Sequence, residues 1–212
     1  EGLPDIYIAM GQTAENVAAY KGVSRQAQDE WGVRSQNRAE AAHARGFFER
    51  EITPYTLPDG TVVSADDGIR AGTTYEKVSQ LNPVFRPDGT VTAGNASAQN
   101  DAAAICLVVA ADKLAELNLE PIGYLRGWAA VGVHPAYMGI GPVPALEKLQ
   151  AKTNISLADT DVIELNEAFS SQVLAVLKGW GMNDPEEIDA KVNVNGSGIS
   201  LGHPIAATGA RI

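Results

Sequence analysis

The sequence predicts a layered α/β fold in which helices pack against a mixed β-sheet. The main evidence is the alternation of strand-like and helical segments after residue 100, the pattern that a sheet covered by helices requires. The chain has 212 residues, of which 45% are hydrophobic, and this is enough to bury a core. No apolar run approaches the roughly 18–20 residues that a membrane-spanning helix needs, so no span is expected.

Two helices are predicted near the start of the chain. Thr13 precedes a helix-favouring run that ends at Gly22, and Ser24 opens a longer run that Gly46 closes. Helical spacing along the second run predicts one buried face, formed by Ala27, Trp31, Ser35, Arg38, Ala39 and Ala42.

The next segment is rich in turn-forming residues and predicts short strands. The stretches ITPYTL and TVVSA, within residues 51–72, flank Pro58-Asp59-Gly60, a combination typical of a turn between strands. A second Pro-Asp-Gly turn, at 87–89, precedes the segment TVTAGNAS.

Strands and helices alternate in the rest of the chain. The sequence predicts strands at 105–110, 124–133, 161–166 and 192–196, and helices at 111–119, 143–153 and 167–180. Cys106 lies inside the apolar run ICLVVA, with no His nearby in sequence and no helix start to lower the pKa of its thiol. We interpret it as a buried core cysteine.

Charge and composition exclude several functional classes. Sixteen Lys and Arg against 26 Asp and Glu give a net charge of −10, the wrong sign for sequence-independent binding of nucleic acid. One Cys and three His build neither an internal disulfide nor a multi-thiolate zinc site, so we expect no metal and a reducing, cytoplasmic location. The run GIGP at 139–142 lacks the third glycine of a dinucleotide-binding loop, so no dinucleotide site is expected. We expect no permanently bound cofactor.

The two ends of the chain predict a piece of a longer protein. The chain begins at Glu1 without an initiator Met, and it stops at Ile212 just as a helix begins.

Two motifs contain candidate functional side chains, one at the end of a predicted strand and one at the start of a predicted helix. In NEAF, Asn166 follows a predicted strand, where open α/β sheets gather ligands; the alternative is an Asn that caps the next helix. Farther on, His203 stands before Pro204 at a predicted helix start, where the positive end of the helix dipole favours a neutral imidazole. The alternative is a helix-capping His in a tight glycine loop.

A third motif is the turn Gly94-Asn95-Ala96-Ser97, which leads into a predicted helix. Its free backbone N–H groups and its hydroxyl suit an anionic or amide-bearing ligand. The alternative is an ordinary turn.

Five segments in order resemble the thiolase family. They are MGQTAENVA at 10–18, GNASAQNDAAA at 94–104, YMGIGPVPA at 137–145, NEAF at 166–169, and NVNGSGISLGHPIAATGAR at 193–211. The resemblance implies the thiolase-like layered fold, with residues 1–98 as the loop (lid) domain and 99–119 as a strand and helix that complete the N-terminal domain. Residues 120–212 would form most of the C-terminal domain.

The resemblance implies acyl transfer between coenzyme A thioesters, by thiolysis of a 3-oxoacyl-CoA or by the reverse Claisen condensation. In such proteins the His that matches His203 activates a nucleophilic cysteine and helps hold the thioester oxygen, and the Asn that matches Asn166 supports the same oxyanion through a water. Neither active cysteine of the family lies in this sequence, so the chain alone is expected to be inactive. The full-length protein is expected to form homodimers or homotetramers.

For coenzyme A, which would be a substrate, the resemblance implies binding by Met10, Arg70, Leu81, Ser97, Met138 and Phe169. Arg70 would face the nucleotide phosphates and Ser97 the pantetheine amide, while the apolar side chains line the pantetheine tunnel. The alternative for Arg70 is a surface ion pair with Asp66 or Asp67.

Four alanines depart from the family pattern. Ala98, Ala102 and Ala206 replace common glycines, so they are expected to narrow the site or to require another backbone angle. Ala9 stands where members specific for acetoacetyl-CoA usually carry His, which favours broader chain-length use. The alternative to a thiolase is a thiolase-like protein that binds CoA thioesters or lipids without thiolase activity, either a lipid-carrier or condensing relative or a non-enzymatic binding module.

Overall fold

The computed structural model describes residues 5–212. The chain start at Glu1, noted above, lies outside the described residues. The α-helices are α1 (Met10–Lys21), α2 (Arg25–Ala44), α3 (Tyr75–Val78), α4 (Leu114–Leu117), α5 (Pro142–Thr153), α6 (Ser170–Trp180), α7 (Pro185–Lys191), α8 (Gly198–Leu201) and α9 (Ile205–Arg211). Short 3-10 helices cover Phe47–Arg50, Ala111–Lys113, Pro135–Ile140 and Leu157–Asp159, and two strands, β1 (Tyr55–Thr56) and β2 (Val62–Val63), pair with each other. Within 5–212, no helix has both the length and the apolar character that crossing a membrane demands.

The first two helices confirm most of the prediction for this region. Helix α1 ends at Gly22, which adopts a left-handed φ of 59°, and the Ser24 hydroxyl caps α2 by accepting a hydrogen bond from Ala27 N at 3.2 Å. The predicted start of α1 is wrong, because the helix begins at Met10. Thr13 lies inside it and donates to the Met10 carbonyl at 2.6 Å.

Strands β1 and β2 form the predicted hairpin around Pro58-Asp59-Gly60. They are antiparallel, with Tyr55 opposite Val63. Gly60 supplies the left-handed φ of 88° that the turn needs, and Asp59 Oδ1 accepts from Thr61 N at 2.9 Å.

The core is centred on α6. Its Val173, Val176 and Leu177 are buried with Trp31 of α2, and on its other side Ala175 packs against Val17 of α1. Helix α6 is therefore held between the two N-terminal helices, and this brings the segment before α6 into contact with the first hundred residues.

The predicted strands at 105–110 and 124–133 are wrong for the chain as described. Both segments are irregular, Ile105 is 96% and Trp128 69% exposed, and Cys106 is exposed rather than buried. A strand requires a neighbour to pair with, and within 5–212 the backbone of 105–109 hydrogen-bonds to no other segment. An apolar run without a pairing partner stays irregular.

The predicted strands at 161–166 and 192–196 are neighbours, but each is much shorter than expected. A single parallel bridge joins Ile163 to Val192. Beyond it the side chain of Asn193 replaces the next rung, because it accepts from Leu165 N at 2.8 Å and donates to the Leu165 carbonyl at 2.7 Å. Asn193 adopts φ 48°, so the chain turns away where a strand would continue.

The predicted helices after residue 110 form, with shorter bounds in two cases. The segment 111–119 contains a 3-10 turn and α4, and 143–153 is covered by α5. Helix α6 begins at Ser170 rather than at 167, because Phe169 is extended and forms an antiparallel bridge with Ala96.

Candidate functional site

The NEAF motif and the Gly94–Ser97 turn lie against each other. Besides the Ala96–Phe169 bridge, Ser97 N donates to the Ala168 carbonyl at 2.9 Å and Ser170 N donates to the Asn95 carbonyl at 2.9 Å. Two segments that are about seventy residues apart in sequence therefore form one continuous surface, with Ser97 beside Phe169.

A buried polar network holds the Gly94–Ser97 turn in place. The fully buried Asn95 side chain accepts from Thr92 N at 2.8 Å and donates to Asp29 Oδ1 at 2.8 Å. Asp29, also buried, is paired with Arg25 at 2.7 Å, and Arg25 donates to the Leu81 carbonyl at 2.6 Å. The network therefore ties the loop that carries Leu81 to the turn that carries Ser97.

Apolar side chains pack on the Phe169 ring and on the neighbouring Gly94–Ser97 turn. Phe85 packs against it edge to face with 6.2 Å between ring centroids, and the Phe85 ring lies so close to Gly11, the neighbour of Met10, that no side chain fits there. Leu81 packs on Gly94, where an added Cβ would lie 2.8 Å from its Cδ1. Sequence reasoning missed Phe85, because one aromatic residue near a predicted turn is not distinctive by itself.

Met138 lies on the 3-10 segment Pro135–Ile140, which packs against both α1 and α6. Asn16 of α1 donates to the Ala136 carbonyl at 3.0 Å and fixes this segment. Met10, Leu81 and Met138 are 39–47% exposed, so their side chains are accessible to a ligand.

His203 is half-buried just before α9. Its backbone N–H donates to Asn100 Oδ1 at 2.9 Å, and its Nδ1 lies 2.7 Å from the Thr208 hydroxyl. Burial lowers the pKa of His203, which favours the neutral imidazole that we predicted. The capping alternative is wrong, because no side-chain hydrogen bond caps α9. The imidazole instead contacts the side chain of Thr208, which lies within that helix.

Asn166 contacts the first residue of α8. Its Oδ1 is buried and has no hydrogen-bond partner within 5–212, and it faces Gly198, where an added Cβ would lie 2.6 Å away. The capping alternative is wrong here too, because Phe169 occupies the N-cap of α6 without any side-chain cap bond. Asn166 thus contacts the start of α8 and His203 follows its end, and no hydrogen bond between described residues joins them.

Glu167 is the residue that sequence reasoning missed most clearly. It is fully buried and accepts hydrogen bonds from Trp31 Nε1 at 2.9 Å, Ser35 Oγ at 2.5 Å, Asn193 Nδ2 at 3.1 Å and Ile199 N at 3.4 Å. Burial raises the pKa of Glu167, while these hydrogen bonds act in the opposite direction. The available signal was the pairing of a Trp and a Ser four residues apart on one predicted buried face.

Arg70 is exposed and lies beside α2 and α8. Its backbone N–H donates to Gln36 Oε1 at 2.8 Å, and the adjoining Gly68 backbone packs on Ser200. The predicted ion-pair alternative is wrong, because Asp66 is paired instead with Arg211 at 2.7 Å and Arg70 makes no ion pair with any described residue.

The three alanines that replace family glycines cause no strain. Ala98, Ala102 and Ala206 are exposed, and none adopts a left-handed backbone conformation. The expected change of backbone angle is therefore not required at these positions. Within the described part of the chain, no group of three or more His, Cys, Asp and Glu side chains is arranged to hold a metal ion.

Comparison with known families decides the assignment. Residues 1–112 match the family model of the thiolase N-terminal domain, and residues 119–212 match that of the thiolase C-terminal domain. The chain belongs to the thiolase family. The resemblance carried by the five sequence segments is thereby confirmed, while the internal domain boundaries at 98 and 119 stay a prediction.

Relatives of this thiolase chain carry names of the same class. Proteins of Staphylococcus aureus strains COL and MRSA252, each called "Probable acetyl-CoA acyltransferase", are 48% identical over 218 residues. The alignment covers 100% of this chain and 54% of each relative. The chain thus spans about half the length of the curated relatives it matches.

Solved structures confirm the thiolase fold. The Bacillus anthracis acetyl-CoA acetyltransferase superposes with a TM-score of 0.92 at 44% identity, covering 98% of this chain and 52% of that protein. Human mitochondrial 3-ketoacyl-CoA thiolase superposes with a TM-score of 0.86 at 37% identity, covering 99% of this chain and 52% of the human protein. The predicted layered α/β class is therefore correct, although the regular strands in 5–212 are few.

Proposed function

We propose that the protein to which this chain belongs is a thiolase-type acyltransferase. It cleaves a 3-oxoacyl-CoA with CoA into acetyl-CoA and a shortened acyl-CoA, or catalyses the reverse Claisen condensation. Family membership and relatives named as acetyl-CoA acyltransferases support this reaction class. In the reaction, a cysteine thiolate takes the acyl group, so one transfer is divided into two covalent steps with lower barriers.

The observation that carries the proposal is the position of Asn166 and His203 at the two ends of α8: Asn166 contacts Gly198 at its start, and His203 follows its end. The side-chain carbonyl of Asn166 is buried without a partner among residues 5–212, which suits it to hold a water molecule that donates to a thioester or enolate oxygen. Burial favours the neutral form of the half-buried His203, so its Nε2 is suited to accept a proton from a thiol and then to donate a hydrogen bond to the developing oxyanion.

The surface around Phe169 is suited to the pantetheine arm of coenzyme A. Met10, Leu81 and Met138 would supply apolar contacts, and Ser97 would supply a hydroxyl for an amide. Arg70 makes no ion pair with a described residue, and its guanidinium would bind the nucleotide phosphates.

In this proposal, the nucleophilic cysteine lies in a part of the complete protein that this chain does not include. That part corresponds to the segments of the relatives outside the alignment. Cys106 is exposed on an irregular segment, with no His near it in sequence and no helix start beside it. We therefore expect the 212-residue chain alone to show no turnover. We also propose a cytosolic homodimer or homotetramer for the complete protein, and Ala9 favours broader chain-length use over a dedicated acetoacetyl-CoA enzyme.

A second candidate is a CoA-thioester or lipid-binding protein without turnover. The accessible apolar side chains of Met10, Leu81 and Met138 favour it, because they would bind a CoA thioester without any cysteine. Product analysis separates the two. A polypeptide that includes both this chain and the flanking thiolase segments is incubated with 3-oxohexanoyl-CoA and CoA, and the thioesters are resolved by mass spectrometry. Equal amounts of acetyl-CoA and butanoyl-CoA support the thiolase, whereas bound but unchanged substrate supports the second candidate.

A further inference from the structure

The hydroxyl of Thr208 is placed to fix which nitrogen of His203 carries the proton. Thr208 lies on α9, one turn beyond His203, and is only 6% exposed. Its Oγ1 lies 2.7 Å from His203 Nδ1 and 3.1 Å from the carbonyl of Pro204, four residues before it.

A threonine hydroxyl has one proton and two lone pairs. In a helix, the common use of that proton is a hydrogen bond to the carbonyl four residues earlier, and the geometry at Pro204 satisfies this bond. The hydroxyl then has only lone pairs to offer to the imidazole. A lone pair that meets Nδ1 at 2.7 Å requires a proton on Nδ1.

The backbone of His203 is fixed by an independent contact. Its N–H donates to Asn100 Oδ1 at 2.9 Å, and the Asn100 side chain packs directly on Gly202, whose φ of 87° suits glycine. Backbone and ring are thus each held by one hydrogen bond, so the imidazole has little freedom to rotate or flip.

We propose that Thr208 is a positioning residue that holds the His203 imidazole as the Nδ1–H tautomer and so keeps the Nε2 lone pair free. The catalytic consequence rests on the proposed function. In the acyl transfer, Nε2 takes the proton of the attacking thiol while the Nδ1–H bond to Thr208 is retained, and the resulting imidazolium is stabilised by that bond.

The chain contains its own reference for this tautomer. His134 Nδ1 accepts a hydrogen bond from Ala136 N at 3.2 Å, which requires an unprotonated Nδ1 and a proton on Nε2. The sequence has three histidines, and the third, His43, is exposed. His134 and His203 are therefore expected to show opposite tautomers in one spectrum.

The test is a long-range ¹H–¹⁵N correlation spectrum of this chain with labelled histidine, recorded near pH 8, where neutral imidazoles dominate. Assignment uses His43→Gln and His134→Gln. We expect His203 to be protonated on Nδ1 in the wild type and in Thr208→Ser, and to shift towards the Nε2–H form in Thr208→Val. Thr153→Val is the matched control, because Thr153 makes the same helical bond, to the Leu149 carbonyl at 2.9 Å, and its hydroxyl contacts no histidine.

A wild-type His203 that is protonated on Nε2 would overturn the proposal, and this readout needs no variant. A Thr208→Val spectrum identical to the wild type would also overturn it. In the complete enzyme, Thr208→Val should lower kcat by about 10–100-fold with KM for CoA unchanged, and Thr208→Ser should restore it. If the spectra agree but the wild-type enzyme shows no thiolysis, the proposed function fails and the tautomer assignment stands.

Discussion

Trp31 of α2 and Glu167 of the NEAF motif are joined by a hydrogen bond of 2.9 Å between the indole Nε1 and the carboxylate Oε1, across 136 residues of sequence. Both side chains are buried, and Glu167 directly follows Asn166. The same carboxylate also accepts from Asn193 and from the backbone of α8. The buried carboxylate of Glu167 thus joins α2, the turn at Asn193 and α8 beside Asn166.

Replacing Trp31 with Phe should destabilise the fold by about 1–3 kcal/mol. The substitution keeps an aromatic ring but leaves a buried carboxylate with one donor fewer, and unmet buried acceptors cost this much. Urea denaturation measures the change. The matched control is Trp128→Phe, which alters a side chain that is 69% exposed and should change stability by less than about 0.5 kcal/mol. Equal effects at the two positions would contradict the role of the Trp31–Glu167 bond.

The buried acid predicts a definite pH dependence of stability. Burial raises the pKa of Glu167 above its ordinary 4.5, so the folded state binds its proton more tightly than the unfolded state does. The stability contributed in this way is complete below pH 4.5 and is lost as the pH rises through the folded-state pKa. Glu167→Gln imitates the protonated acid and removes this loss.

The unfolding free energy of the wild type minus that of Glu167→Gln should therefore fall as the pH rises from 4.5 to 8. Both proteins should carry Glu164→Gln, because Glu164 titrates in the same range and its pKa itself depends on Glu167. Partial desolvation and the carboxylates of Glu167 and Glu51 raise the pKa of Glu164 to about 7. A difference that is flat or rises with pH would contradict the assignment.

Arg211 anchors α9, and with it the His203 loop, to the first hundred residues. It binds Asp66 with two hydrogen bonds of 2.7 Å and also binds Glu51 at 2.9 Å. Both ion pairs raise the pKa of Arg211. Asp66→Asn should destabilise the fold by about 1–2 kcal/mol in thermal or urea unfolding, because the bidentate charge-assisted geometry is lost.

The control for this ion pair is Glu116→Gln, which removes the exposed pair with Lys113 and should cost well under about 1 kcal/mol. High salt should change the Asp66 result little if that effect comes from a partly buried contact, whereas salt screens the exposed Glu116 pair and should reduce any effect there. If Asp66→Asn destabilised the fold no more than Glu116→Gln does, the Asp66–Arg211 ion pair would not be what anchors α9.

Asn193 combines a left-handed backbone with a side chain that replaces a strand rung. Asn193→Gly keeps the freedom to adopt a left-handed backbone but loses the side-chain hydrogen bonds to Leu165 and Glu167. Asn193→Ala loses the hydrogen bonds and also disfavours the left-handed backbone. Urea unfolding should show a cost of about 2–4 kcal/mol for Ala and about 1 kcal/mol less for Gly. A Gly variant less stable than the Ala variant would contradict this account.

Local signals in the sequence predicted the helices well and the strands poorly. Ser24, Gly22 and Gly60 act through neighbouring residues, so their effects can be predicted from a short window. Pairing of 105–110 depends on a partner elsewhere, and no window around Cys106 contains that information. The turn at Asn193 likewise depends on contacts with residues about thirty positions away.

The candidate site shows the same division. Asn166 and His203 stood out because polar residues at a strand end and before a helix are unusual. Glu167 and Thr208 did not, because their importance comes from Trp31 and Ser35 in one case and from the fold of α9 in the other. Long-range hydrogen bonds between buried groups carry no local sequence pattern.

The most direct test of the account is kcat/KM for thiolysis by the complete enzyme with His203→Ala, compared with His43→Ala at an exposed position of α2. The account predicts a loss of about 100- to 10,000-fold for His203→Ala and wild-type activity for His43→Ala, because only His203 is placed to move the proton. Wild-type kcat/KM in the His203→Ala enzyme would contradict the central claim.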